Sequence, residues 1–149
     1  MSTLADPASR DTCLARLEKL QPSAAAQWGR MNARQMVCHL NDSFAVAAGR
    51  KYASPKTNFL QRSLVKWVAL RTSYPWPHGV PTRPEIEQGL GGTPPSEWEH
   101  DRAELRRWIA EFATLETFGA HPVFGPMNRS DWLTWGFKHV DHHLRQFGV

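Results

Sequence analysis

Apolar residues recur along this chain at helical spacing, in blocks separated by proline and glycine. Asp6-Pro7 opens the first block, because Asp caps a helix and Pro fits its first turn. Leu14, Leu17 and Leu20 lie along one side of it, and it stops near Gln21-Pro22. After a connector holding Trp28-Gly29, Asn32 caps a second predicted helix that runs to about Ala48 and is closed by Gly49. Its stripe is Met36, Leu40, Phe44 and Ala47, a helical period. A third helix is predicted from Asn58 to Arg71, with Leu60, Leu64, Trp67, Val68 and Leu70 as its apolar positions. A fourth starts near Thr93–Ser96 and runs to about Leu115, carrying Trp98, Leu105, Trp108, Ile109 and Phe112. The last begins at Asn128 or Ser130, takes Asp131 at its positive end and runs to about Phe147. No segment alternates as a strand would.

Two stretches interrupt this pattern. Residues 74–95 hold Tyr74-Pro75-Trp76-Pro77 and continue to Gly91-Gly92-Thr93-Pro94-Pro95, which makes them a long loop. A loop of that length inside one domain is often functional, and its aromatic content predicts that it is packed. A shorter connector, His121-Pro122-Val123-Phe124-Gly125-Pro126, leads to the last helix. The predicted fold is therefore all-α: a four-helix bundle with a short leading helix and a long Pro/Gly-rich connection.

Composition narrows the classes. The 149 residues suffice for a single domain spanning 1–149, and a chain of this size buries about 68–70% of its unfolded surface. Hydrophobic residues at 41% and charged residues at 21% are those of a folded, soluble chain. The excess of 18 Lys+Arg over 14 Asp+Glu is too mild to mark a nucleic-acid binder. Arg30, Arg34, Lys51, Lys56, Arg62, Lys66 and Arg71 alternate with apolar residues and form no reading motif, so no nucleic-acid partner is expected. No apolar run approaches the roughly 20 residues of a membrane helix, so no membrane partner is expected either. The first residues lack the basic and apolar stretches of a secretory signal. Cys13 and Cys38 can build neither a disulfide scaffold nor a cysteine-only zinc site, and the expected setting is reducing and cytoplasmic.

Seven Trp and seven His change the picture. At about 100° per residue, His139 and His143 lie one turn apart on the last helix. Trp132, Trp135, Gly136 and Gln146 share their face, while Lys138, Asp141 and Arg145 fall opposite. Two imidazoles at i and i+4 reach one point and can bind one metal ion, which then needs a ligand from a facing helix. His39, at the edge of the second helix's apolar stripe, is the candidate. Three imidazoles with an open position form a catalytic pattern. Asp42, His142 and Gln146 are candidates for the surrounding shell, Asp42 as a further ligand or as an acceptor for an imidazole N–H. Trp132 and Trp135 would wall the pocket, and the 74–95 loop would cover its mouth. Spacing alone leaves a second reading open, in which these histidines are hydrogen-bonded packing residues. His78, His100 and His121 are expected in loops or on a polar face without a site role, and Arg83 either meets an anionic group or is an exposed loop cation. Trp67, Trp98 and Trp108 are expected in packing.

The stretch from Trp28-Gly29-Arg30-Met31-Asn32 to Cys38-His39-Leu40, together with His139-Val140-Asp141-His142-His143-Leu144-Arg145-Gln146, resembles the opening and closing signatures of DinB-like proteins. Pro75-Trp76-Pro77, Thr82-Arg83-Pro84, Gly92-Thr93-Pro94-Pro95 and the 121–126 connector are similar to a narrower branch of that family, a domain of unknown function. The resemblance covers most of residues 25–149. It implies a four-helix bundle with a long connection, often a homodimer, and a metal held by His39, His139 and His143, with His142 outside the ligand set. It also implies a metal-dependent enzyme. Characterised members include thiol-dependent transferases and isomerases that use bacillithiol or mycothiol, and the metal-binding part of sulfoxide synthases. The expected function is group transfer involving a low-molecular-weight thiol, or hydrolysis, on an unidentified small molecule. Zinc, nickel or iron fits the imidazole donors. The alternative is a non-catalytic metal- or small-molecule-binding module of the same fold.

Overall fold

In a computed structural model describing all 149 residues, five α-helices and no strands are formed. They are α1 (Pro7–Lys19), α2 (Ala33–Ala47), α3 (Lys66–Arg71), α4 (Trp98–Glu111) and α5 (Arg129–Gln146). Short tight turns follow at Pro84–Ile86 and at Phe112–Thr114, where α4 runs out. Helices α1 and α2 each pack against both α4 and α5, so these four form the bundle. The all-α fold is as expected, with one change of emphasis. The leading helix is a full bundle member of 13 residues, and the short helix is α3, with 6.

The helix starts follow cap chemistry. Asp6 accepts from Ser9 N and is followed by Pro at the first helical position. Asn32 and Gln35 form a reciprocal capping box at α2, and Asn128, rather than Ser130, caps α5 by accepting from Asp131 N. Gly49 takes φ +70° just beyond α2, the left-handed conformation glycine permits at a helix end.

The core is one cluster of 22 buried residues, with Trp132, Phe44 and Phe112 its largest fully buried side chains. Phe44 of α2 packs against Trp108 and Phe112 from α4 and its end and against Trp135 of α5. This contact holds α2 and α5 face to face, which positions the site.

The segment before the long loop departs from the sequence pattern. Residues 61–65 widen into a π turn before α3, and Ser63 Oγ bonds back to the Phe59 carbonyl there. Of the five apolar positions expected to pack, only Leu70 is buried; Leu60, Leu64, Trp67 and Val68 are 39–58% exposed. Trp67 is therefore a surface residue, unlike Trp98 and Trp108, which pack as expected. The reason is tertiary: among the bundle helices α3 lies chiefly against α5, so one face is covered and the other is not.

Candidate metal centre

His39 sits midway along α2, and His139 and His143 sit one turn apart on α5. Each ring offers a donor nitrogen, and the three donor atoms lie within 4.8 Å of one another. The ring centroids are 5.4 Å apart for His39 and His139, 5.0 Å for His39 and His143, and 4.9 Å for His139 and His143. The α5 spacing aligns two of the rings, and the Phe44 contact brings the third helix face opposite them.

Two rings are fixed by bonds on their far side. His39 Nδ1 is 3.2 Å from the Ile86 carbonyl oxygen, and His143 Nδ1 is 2.8 Å from Gln146 Oε1. Both partners are acceptors, so each Nδ1 carries the proton and each Nε2 keeps its lone pair. Gln146 is held in turn, because its Nε2 donates to the Trp28 carbonyl at 2.7 Å. Gly29 leaves room for that amide: a Cβ there would lie 2.6 Å from Gln146 Nε2. His139 differs, since its Nδ1 is buried without a hydrogen-bond partner. The chain therefore does not fix that ring's tautomer.

Electrostatics favour neutral imidazoles. Burial is the first cause in all three, pushing their pKa values below the ordinary imidazole value. For His139 the neighbouring His143 and His39 lower it further, and for His143 so does His39. The Ile86 and Gln146 bonds oppose the shift in His39 and His143. Neutral imidazole is the ligating form, so the cluster can accept a divalent metal without first losing protons at neutral pH. The thiols contribute no nucleophile, since burial pushes Cys13 and Cys38 up to about 12.

A sequence model of the DinB superfamily matches residues 7–147. The chain belongs to the DinB superfamily. Searches of curated proteins and of solved structures each return no match.

Around the three imidazoles of this DinB-superfamily chain, the other expected residues divide. The Trp135 ring lies 4.8 Å from that of His139, beside the cluster. Trp132 lies one layer deeper; its ring neighbours are Phe118, His121 and Trp135, and it is a core residue rather than a wall. His142 is half-buried at the edge, its ring 5.2 Å from that of His143. Asp42 meets no imidazole as a hydrogen-bond partner. One oxygen accepts from Thr93 N, and the other from Thr93 Oγ1 and from Lys51 Nζ at 2.8 Å. Its carboxylate ties the end of the long loop to α2, and the acceptor for His39 is the Ile86 carbonyl instead. Arg83 is not a free loop cation: its guanidinium donates to the Ser54 carbonyl and hydroxyl and ties the loop to that segment.

The sequence pattern did not name which residues of the 74–95 loop come close to the histidines. Trp76, from the long loop, has its ring 5.8 Å from His139 and 6.2 Å from His142. His78 stacks on Trp28 at 3.9 Å and lies 6.0 Å from His142. His121 packs against Phe124, Trp132 and Trp135, and burial pushes it down to about 3. His100 is the exposed histidine expected, paired with Asp101. An aromatic residue between two prolines, Pro75-Trp76-Pro77, was the available signal, because a ring held on a stiff backbone is expected to pack.

Proposed function

We propose that His39, His139 and His143 hold one divalent ion, zinc, nickel or iron, and that the centre serves group transfer involving a low-molecular-weight thiol, or hydrolysis, on a small molecule. The single observation that carries this is the back-bonding of His39 to Ile86 and of His143 to Gln146, which leaves two Nε2 lone pairs beside the His139 ring. A bound ion supplies Lewis acidity, lowering the pKa of a water or thiol brought to the position the three imidazoles leave open. Trp135 keeps bulk water from one side. Trp28, Trp76 and His78 narrow the approach on the other. His142, kept largely neutral by burial, is our candidate for moving a proton at the mouth. Two free, buried thiols support a reducing, cytoplasmic setting for this chemistry; no helix is long and apolar enough to cross a membrane.

One observation favours the second reading, a non-catalytic metal-binding module. His39 and His143 are only 5% and 7% exposed, and a cavity of about 330 Å³ opens beside Trp76 and His142 rather than over the three rings. Cobalt substitution separates the two. Adding a small thiol to the cobalt-loaded chain should bring up a thiolate-to-cobalt charge-transfer band that is absent in His139→Ala. An unchanged spectrum at saturating thiol would favour the module reading over thiol transfer, and an unchanged spectrum with azide as well would exclude an open position altogether.

A further inference from the structure

Helix α5 has a second working face. Phe137, Lys138, Asp141 and Arg145 fall on the side away from His139 and His143 and look toward the chain that follows α3. Lys138 Nζ donates to the Ala69 carbonyl at 2.7 Å and to the Thr72 carbonyl at 2.6 Å, and Trp76 Nε1 donates to the Ala69 carbonyl at 3.0 Å. These bonds hold residues 72–76 over that face without filling the space beneath. A cavity of about 330 Å³ is left, lined by Tyr74, Trp76, Phe137, Lys138, His142 and Arg145 among others. None of His39, His139 and His143 lines it. Its volume falls at the lower end of the range for small-molecule sites, roughly 300–1,000 Å³.

The charges around this cavity select the sign of its occupant. Asp141 is the one acidic residue of its lining, and both of its oxygens are taken, Oδ1 by Arg16 at 2.6 Å and Oδ2 by Arg145 at 2.7 Å. Lys138 meets only neutral carbonyls and uses two of its three N–H groups on them. One carboxylate thus faces three cations, and N–H donors are left over on Lys138 and Arg145. Burial first, and then the Arg145 charge, push the Lys138 pKa down. An anion between the two offsets both effects, whereas a bound amine would add to the repulsion. The rest of the wall is aromatic: Trp76, Phe137 and Tyr74, which is 73% exposed. Inorganic phosphate leaves those rings in water, and a flat apolar ring covers them.

We propose that this cavity binds a small aromatic carboxylate, with the carboxylate between Lys138 and Arg145 and the ring against Tyr74 and Trp76. Trp76 belongs to both places, since it lines the cavity and its ring is 5.8 Å from that of His139. An occupant therefore steadies the residue that narrows the approach to the three imidazoles, without touching them. The proposal rests on the cavity and its charges and stands independently of whether the imidazoles bind metal.

Calorimetric titration of the metal-free chain with benzoate tests it, on protein without an N-terminal tag because Met1 and Ser2 lie at the cavity's rim. Benzoate should bind with a Kd of about 1 mM or tighter. Benzylamine and inorganic phosphate should each bind at least tenfold more weakly. Arg145→Gln and Tyr74→Ser, both at exposed positions, should weaken benzoate binding, the first about tenfold and the second severalfold, with an unchanged far-UV spectrum. His139→Ala should bind benzoate as the wild type does. No binding of benzoate at about ten times the expected Kd overturns the proposal, as does equal binding of benzylamine or phosphate. So does an affinity unaffected by Arg145→Gln, or one lost in His139→Ala, which would assign the anion to the imidazoles instead.

Discussion

Helices α2 and α5 bury most of their length, start at Asn caps and carry all three imidazoles. Residues 52–90 leave Tyr52, Phe59, Leu60, Trp67, Tyr74 and Leu90 in solvent, and contribute Trp76, His78 and the Ile86 carbonyl to the same site. The first region is fixed by close packing, in which Phe44 meets three large rings. The second is held largely by hydrogen bonds between side chains and nearby segments, such as Arg83 to Ser54 and Lys138 to the Ala69 and Thr72 carbonyls. The rigid pair supplies the donor atoms, and the bond-held segment sets what reaches them. Local openings of low free energy are therefore expected in the second region, where few apolar contacts oppose them.

The largest effect on this comparison comes from the core. Phe44→Ala should destabilise the fold by about 3–5 kcal/mol in urea unfolding, because it empties the junction of α2, α4 and α5. Leu64→Ala should change the unfolding of the monomer by no more than about 0.5 kcal/mol when measured at high dilution. Equal costs would break the contrast between the two regions.

Acid should act next, and through the rigid region. His39, His139, His143 and His121 are all held below the ordinary value of 6.5 by burial. Below that value the unfolded chain binds more protons than the folded one, so stability must fall as pH falls. The window opens near 6.5 and, for His121, extends down to about 3. The thermal midpoint of the metal-free chain should be flat between about pH 7 and 8 and decline steadily below that window's upper edge. A midpoint that rises on acidification would mean these rings are not buried in solution.

The smallest of these effects sharpens the site itself. Gln146→Ala removes the acceptor for His143 Nδ1–H and the donor to the Trp28 carbonyl. Metal affinity should fall by about 10–100-fold, with the fold retained. Gln146→Glu keeps the acceptor and should recover part of that loss. Indistinguishable affinity in wild type and Gln146→Ala, measured by competition with a chelator, would remove Gln146 from the centre.

The sequence made the rigid region readable because one helix obeys one period. The positions that put His139, His143, Trp135 and Gln146 on a shared face also determine which atoms meet in the structure. His39 was legible for the same reason, as part of an amphipathic stripe on a capped helix. Trp132 was misjudged because a helical face does not report depth: it shares a side with Trp135 but lies one layer nearer the core. Asp42 looked like an imidazole acceptor from its place one turn beyond His39, yet Thr93 and Lys51 take its oxygens. Nothing local to α2 announces that the end of the long loop returns there. The Trp28–His78 stack and the Ile86 carbonyl likewise join residues 47 or more positions apart, across a loop with no period to follow. The exposed stripe of α3 was hidden because an apolar period predicts that a face is covered without saying by what.

We propose that three neutral imidazoles on two rigid helices form one metal centre. Elemental analysis of tag-free protein, prepared without chelators and run beside His139→Ala/His143→Ala, tests it most directly. Close to one divalent ion per chain is expected in the wild type and essentially none in the double variant. Absence of metal from both after incubation with zinc, nickel and iron salts, or equal metal in both, would contradict it.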